Sequence, residues 1–388
     1  MLRELRLGAP ISRVGLAERT GISKPAVTRG ITDLIEEGLV IETGRGESTS
    51  AGGKRPTLLE LNGRAAAGLG CVVEVGKVRA TLAGFNGEFE ATHETDFDPQ
   101  AGPEIAMAAL KGVLHGVVDR NAAGRLILGL GVSVPGPVDE EGRVVVMPHL
   151  QGWKGVPVAD ILHDQLGIPV QVDNESRVQA LAEGWFGLGR GVENFVCLET
   201  GVGVSAGVVM NGRLCRGLNS LAGEVGHWST YGDGRRCYCD SRACWEINAS
   251  TTQFLADLET ASIAHNDVKL HAGKLSVRDV AHAVEVGDAT ARAELEAHAD
   301  ALARGICNLV LAYDPERIIL HGDANAFGER LVRMLKRRVR DRFALWLEYD
   351  PPIMLSELGD DVGLAGAVSL ALRSAWGLEE PSAMVQAP

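Results

Sequence analysis

Gly223 to Glu246 reads GEVGHWSTYGDGRRCYCDSRACWE. The stretch holds His227, Cys237, Cys239 and Cys244, with Glu224 just ahead of the histidine and Glu246 just behind the last cysteine. Three thiolates and one imidazole match the tetrahedral preference of Zn²⁺ for sulfur and nitrogen donors. Cys237-x-Cys239, followed shortly by Cys244, is a tight loop that can curl around one ion, and His227 upstream closes the shell. Four protein ligands leave no position for water, so the expected zinc is structural rather than catalytic. The alternative is a few buried thiols and a core histidine. Three of the seven cysteines within eight residues weigh against it. A metal that pins His227 also pins Glu224, and one that pins Cys244 also pins Glu246. Carboxylates and an imidazole on a rigid clip suit the hydroxyls of a polyol, because pre-ordering lowers the cost of binding. The alternative is that both glutamates are solvated surface groups.

Outward from this loop, the chain has 388 residues, 45% hydrophobic, with 48 glycines. That is enough for two or three domains with sizeable cores and many tight turns. It shows no signal peptide and no run of eighteen apolar residues, so a cytoplasmic location away from any membrane is expected. Cys71, Cys197, Cys215 and Cys307 lack disulfide spacing. The net charge of −13 argues against a nucleic-acid binder, but the charge is uneven. Residues 1–62 carry nine Lys and Arg against eight Asp and Glu, a balance of +1, and the remainder balances at −14. A less acidic head on an acidic body is compatible with DNA binding if the basic groups share one side.

In that head, Ser12 to Thr20 predicts a short helix, Gly21-Ile22 a turn, and Ser23 an N-cap. Pro25 falls in the first turn of the next helix, where a missing N–H costs little. That helix runs to about Glu37, with Val27, Ile31, Leu34 and Ile35 as one apolar stripe. Leu39–Thr43 and Pro56–Leu61 predict a β-hairpin wing. The whole is a winged helix-turn-helix, residues 1–62. Ser23, Lys24, Thr28 and Arg29 project from the start of the second helix and can enter a major groove. Lys54 and Arg55, in a Gly-rich tip, suit a phosphate backbone or minor groove. A helical hairpin for protein contacts is the alternative. Only Leu2 to Leu7 precede Gly8, so either the domain opens on a minimal helix or the true start lies upstream.

From Ala65 the pattern becomes α/β. Strands are expected at Leu69–Leu82 (broken at Gly76), Ile127–Val134, Val170–Val172, Phe195–Met210 (broken at Thr200-Gly201-Val202-Gly203) and Arg317–His321. Helices are expected at Pro103–Asp119, Val158–Leu166 and Val362–Ala371, and Asn86-Gly87 signals a hairpin turn. Asp173-Asn174-Glu175 ends a strand, where open α/β sheets place ligands. Two similar α/β halves with a cleft between them are the expected architecture.

These segments resemble the ROK family of sugar kinases and sugar-responsive repressors, its repressor branch in particular. The resemblance rests on GVSVPGPVD (131–139), QGWKGVPV (151–158), DNESRVQALAEG (173–184), ETGVGVSAGVVMNGRL (199–214) and the metal loop, all in the family's order. It implies a two-lobed actin/hexokinase-like α/β domain over residues 63–388. One lobe would span about 67–183 plus a C-terminal helix at 371–388, the other about 184–370. It implies that Glu224, His227 and Glu246 hold a sugar with Asn174, Gly136 and His149, the last standing where the family often has Asn.

The departures are informative. Family kinases use Asp in N-D-x-N as general base; Glu175 stands there. A Glu reaches one methylene further, and misplacement of about 1 Å can cost on the order of 10²-fold. It also takes space that a hexose hydroxymethyl would need, which favours a pentose such as xylose. The kinase loop D-x-G-G-T is here Glu74-Val75-Gly76-Lys77-Val78, with a side chain where backbone must approach phosphate. The late Gly-Gly motif is His321-Gly322-Asp323, and Asp240 and Ala243 replace glycines usual in the metal loop. ATP is therefore expected to be held poorly or not at all. Three functions fit: a sugar-responsive regulator, expected to repress as a homodimer or tetramer on a palindromic operator; an ATP-dependent sugar kinase with a DNA-binding head; and a regulator answering to a protein partner. Fold alone does not decide among them.

Overall fold

The computed structural model describes residues 1–46, 55–85, 87–121, 125–147, 150–230, 234–264, 275–345 and 350–376. Lys54, Asn86 and His149 lie outside them.

The head has the order α1 (Leu2–Gly8), β1 (Ile11–Ser12), α2 (Arg13–Thr20), α3 (Lys24–Glu36), β2 (Val40–Arg45) and β3 (Thr57–Leu61). The Ser12 hydroxyl accepts from the Gly15 N–H and caps α2, and Gly21, at φ +68°, ends it. Ser23 occupies the N-cap position of α3 but makes no capping bond, a departure from the sequence expectation. Pro25 in the first turn removes one donor that a cap would otherwise satisfy. Antiparallel strands in the order β1-β3-β2 form the wing. Leu5, Ile11, Leu16, Val27, Ile31, Val40 and Leu59 make its small core. Each full aliphatic burial of this kind contributes about 1.5–3 kcal/mol. The Asn62 side-chain amide donates to Gly38 O at 2.8 Å, tying the end of the wing to the end of α3.

The chain divides into two compact units, Met1–Asp173 with Gly363–Pro388, and Asn174–Val362. After the head, the first holds β4 (Ala66–Glu74), β5 (Lys77–Gly84), β6 (Phe89–Asp96), α4 (Pro103–Asn121), β7 (Leu126–Val134), α5 (Val158–Leu166) and β8 (Val170–Asn174). Its sheet runs β6-β5-β4-β7-β8, with β4 antiparallel to β5 and parallel to β7. The C-terminal helix, Val362–Ala375, lies close against it. A Cβ at Gly131 would stand 1.9 Å from Ala367 O, so only glycine lets this helix approach.

The second unit repeats the plan with α6 (Glu175–Phe186), β9 (Phe195–Thr200), β10 (Val204–Met210), β11 (Arg213–Leu214), α7 (Glu246–Ala249), α8 (Thr251–Ala264), α9 (Val277–Val286), α10 (Ala289–Tyr313), β12 (Arg317–Gly322), α11 (Gly328–Phe343) and β13 (Ile353–Leu355). Its sheet order, β11-β10-β9-β12-β13, again joins an antiparallel hairpin to parallel strands. Trp245 is fully buried in this core, and its indole N–H donates to Ala301 O at 2.9 Å. No helix among the described residues is long and apolar enough to cross a membrane.

Candidate ligand site and metal centre

The metal loop is shaped by backbone before any ion enters. Isolated bridges join Ser229 to Cys244 and Arg236 to Arg242. The Cys237 N–H donates to Ser241 O, and the Asp240 N–H donates back to Cys237 O. Asp240 and Ala243 hold φ of +67° and +58°, left-handed values that explain why glycine suits both positions. These turns bring His227, Cys237, Cys239 and Cys244 together, one ligand atom from each lying within 4.8 Å of the others. Cys239 Sγ stands 3.6 Å from Cys244 Sγ, and Cys237 Sγ stands 3.8 Å from His227 Nδ1. Tetrahedral zinc–thiolate bonds set an S···S edge of about 3.8 Å. Donor types and spacing both fit such an ion.

Two glutamates flank the cluster. The segment from Gly223 lies along β10: the Ala206 N–H donates to Gly223 O at 2.8 Å. A Cβ at Gly226 would stand 2.2 Å from Val204 O, so Glu224 and His227 are set by a close backbone approach at the residue between them. Glu246 opens α7, and its Oε2 accepts from the Val204 N–H at 3.0 Å. Burial raises the Glu224 carboxyl above its ordinary range; His227 and Arg177 pull it down and Glu246 pushes it up. These charges therefore sense one another. Asn174 begins the same unit. Its Oδ1 accepts from Ser176 N at 3.0 Å and from Ser176 Oγ at 2.7 Å, capping α6, whose first residue is Glu175. Gly136 lies in the first unit at φ +150°, where a Cβ would strike Val146 O.

Three residues not assigned a ligand-site role in the sequence reading act here. The Arg177 guanidinium is 1% exposed and donates to Ser220 O and, at 3.3 Å, to Ala222 O, fixing the loop that leads to Glu224. An arginine inside the otherwise apolar start of α6 was its only sequence signal. The Tyr238 hydroxyl lies 3.0 Å from His227 Nε2, and burial together with the charges of Glu246 and Glu224 holds the phenol above its ordinary range. Glu199, at the end of β9, is pushed up to about 7 by burial, against a bond from Gln179 Nε2 at 2.7 Å and with Asp323 adding to the rise.

The loop aligned with the kinase phosphate motif is a tight hairpin in which Glu74 faces Lys77. Lys77 Nζ lies 3.3 Å from Glu94 and 4.0 Å from Asp96, and Val78 is buried. In the head, Ser23, Lys24, Thr28 and Arg29 are all exposed at the start of α3, while Val27 between them is buried. Arg55 is exposed just before β3.

Residues 1–41 match the profile of a winged helix-turn-helix DNA-binding domain. The xylose repressor of Bacillus subtilis is 26% identical over 373 residues, covering 96% of this chain and 94% of that protein. The glucokinase of Thermotoga maritima is 31% identical over 247 residues, 62% of this chain and 78% of that one. The crystal structure of a ROK family transcriptional regulator, a homologue of the Escherichia coli MLC protein, superimposes with a TM-score of 0.82 at 24% identity, covering 97% of this chain and 95% of that one. The mixed α/β, hexokinase-like fold with an N-terminal winged helix-turn-helix is therefore the fold of this protein. Matching the ROK family profile over residues 70–374, the chain belongs to the ROK family.

Proposed function

We propose that this protein is a sugar-responsive, DNA-binding repressor of carbohydrate-utilisation genes. The observation that carries the proposal is the joining, in one chain, of an exposed basic helix start to a metal cluster flanked by Glu224 and Glu246. Similarity to a xylose repressor along 96% of the chain supports the same reading. Residues 1–62 serve as the DNA-binding domain. Ser23, Lys24, Thr28 and Arg29 read the major groove, and Lys54 and Arg55 contact the backbone or minor groove. Residues 63–388 bind the sugar through Glu224, His227, Glu246, Asn174 and Glu175, with Gly136 and His149 completing the site. A homodimer or tetramer matches a palindromic operator.

His227 Nδ1, Cys237, Cys239 and Cys244 would hold one Zn²⁺, whose contribution is structural: it fixes the imidazole and its tautomer. Glu224 and Glu246 accept hydrogen bonds from adjacent sugar hydroxyls, and Arg177 keeps Glu224 in place. The chain does not act as a kinase. The Lys77 ammonium is engaged by Glu94 and Asp96, and the turn at Gly201 stands beside the Glu199 and Asp323 carboxylates, which a polyphosphate would meet as like charge. The longer Glu175 favours a pentose.

To release DNA, the sugar must bind the off-DNA state more tightly; moving the equilibrium from 99:1 to 1:99 needs about 10⁴-fold preference. The test is DNA binding at fixed salt, with xylose, glucose and N-acetylglucosamine each added. Release by xylose at the lowest concentration is expected. Release by none rejects the sugar reading, stronger release by a hexose rejects the pentose, and sugar-dependent ATP hydrolysis rejects the assignment as a non-enzyme.

A further inference from the structure

Tyr238 stands between two of the cluster's cysteines, in Cys237-Tyr238-Cys239, so any ion that orders the loop also orders its backbone. Its ring meets the His227 imidazole edge-on, with centroids 5.2 Å apart and planes at 83°. Its hydroxyl lies 3.0 Å from His227 Nε2. The other ring nitrogen, Nδ1, faces the thiols, 3.8 Å from Cys237 Sγ. With Nδ1 turned to the metal-binding thiols, Nε2 carries the ring proton and is the nitrogen left to meet a ligand. That N–H donates to the phenol oxygen. The same phenol sits within electrostatic reach of Glu246 and Glu224, the two carboxylates assigned to the sugar. It is 53% exposed, so it can swing aside without opening a cavity in the core.

We propose that Tyr238 competes with the sugar for His227 Nε2, occupying that donor in the effector-free protein and setting the affinity at which the sugar displaces it. The inference rests on the sugar reading above and adds an affinity-determining residue to the same site. It also gives the half-exposed aromatic at the mouth of a hydrophilic cluster a role that metal binding does not need, since the phenol is not among the four ligands.

The test is calorimetric titration of the zinc-loaded full chain and its Tyr238→Phe variant with xylose and with glucose. Phe keeps the ring and removes the hydroxyl. Loss of one neutral competing hydrogen bond predicts a Kd tighter by about two- to ten-fold in the variant, with zinc content unchanged. In the effector-free proteins, the His227 Nε2–H signal in NMR should shift or exchange faster in the variant, because its acceptor is gone. An unchanged Kd overturns the proposal, and a weaker Kd overturns it by making the hydroxyl a sugar ligand instead. If wild type and variant both bind no sugar, the sugar reading itself fails and the proposal falls with it. If wild type binds and the variant binds identically, only the role of Tyr238 fails.

Discussion

Gly226→Ala places a methyl carbon 2.2 Å from Val204 O and 3.2 Å from Glu246 Cβ. Restoring ordinary van der Waals distance requires the segment to back away from β10 by roughly 1 Å. Glu224 lies two residues before this point and His227 one after it, so both groups move together. A displacement of about 1 Å in a positioned group costs on the order of 10²-fold, which corresponds to about 2.7 kcal/mol of sugar affinity. Overpacking costs about 1–3 kcal/mol of stability in addition. Gly234→Ala is the control: its φ of +76° brings left-handed strain, about 1–2 kcal/mol, but nothing lies within 4 Å of the new carbon. Calorimetric titration of both zinc-loaded variants with the effector, alongside thermal denaturation, separates the two effects. Gly226→Ala should lose binding while staying folded, and Gly234→Ala should lose stability and keep binding. A folded Gly226→Ala protein binding within about three-fold of wild type would refute the argument that backbone approach sets this site.

Metal analysis should find one zinc per chain, and Cys239→Ala should lose the metal and the sugar response together, because the cluster orients His227; an unaltered sugar response in that variant breaks the coupling. Removing the two exposed cations at the start of α3, with Lys24→Ala and Arg29→Ala together, should weaken DNA binding and lower the salt slope by up to about 2; an unchanged slope measured across salt concentrations places DNA elsewhere. Because burial raises Glu199 from 4.5 to about 7, the folded state retains a proton there that the unfolded state has released, and stability falls as pH rises through that window. Glu199→Gln should therefore gain about 2–3 kcal/mol at pH 8 and little at pH 4.5 in denaturant titrations; an equal gain at both pH values contradicts the assignment.

Local chemistry explains what could be read from the sequence. The metal quartet falls within eighteen residues, and its donor types announce themselves without tertiary information. Likewise α2, its Gly21 turn and α3 follow from caps and periodicity a few residues apart. Arg177 was not legible as a clamp because its acceptors, Ser220 O and Ala222 O, are 43 and 45 residues away. The setting of Glu199 depends on Gln179 and Asp323, brought in from α6 and from the residue following β12. Tyr238 was hidden for a different reason: the spacing Cys-x-Cys leaves its middle residue unspecified, and only the fold of the loop turns that side chain onto His227.

The turn Thr200-Gly201-Val202-Gly203 reads in sequence like a loop for phosphate, yet the structure gives its backbone other partners. The Val204 N–H donates to Glu246 Oε2, and a Cβ at Gly203 would lie 2.7 Å from that same oxygen. Thr200 Oγ1 donates to His321 O at 2.8 Å and accepts from Ala324 N at 3.2 Å, joining β9 to the end of β12. The Thr251 N–H donates to Gly201 O at 2.8 Å, seating the start of α8. Each bond fixes protein to protein. A chain with no use for a nucleotide would still need glycine at 203, because any side chain there would push Glu246 off the N–H that aims it. The constraint on this turn thus runs through the carboxylate assigned to the sugar, and a glycine-rich turn here is no argument for phosphate transfer.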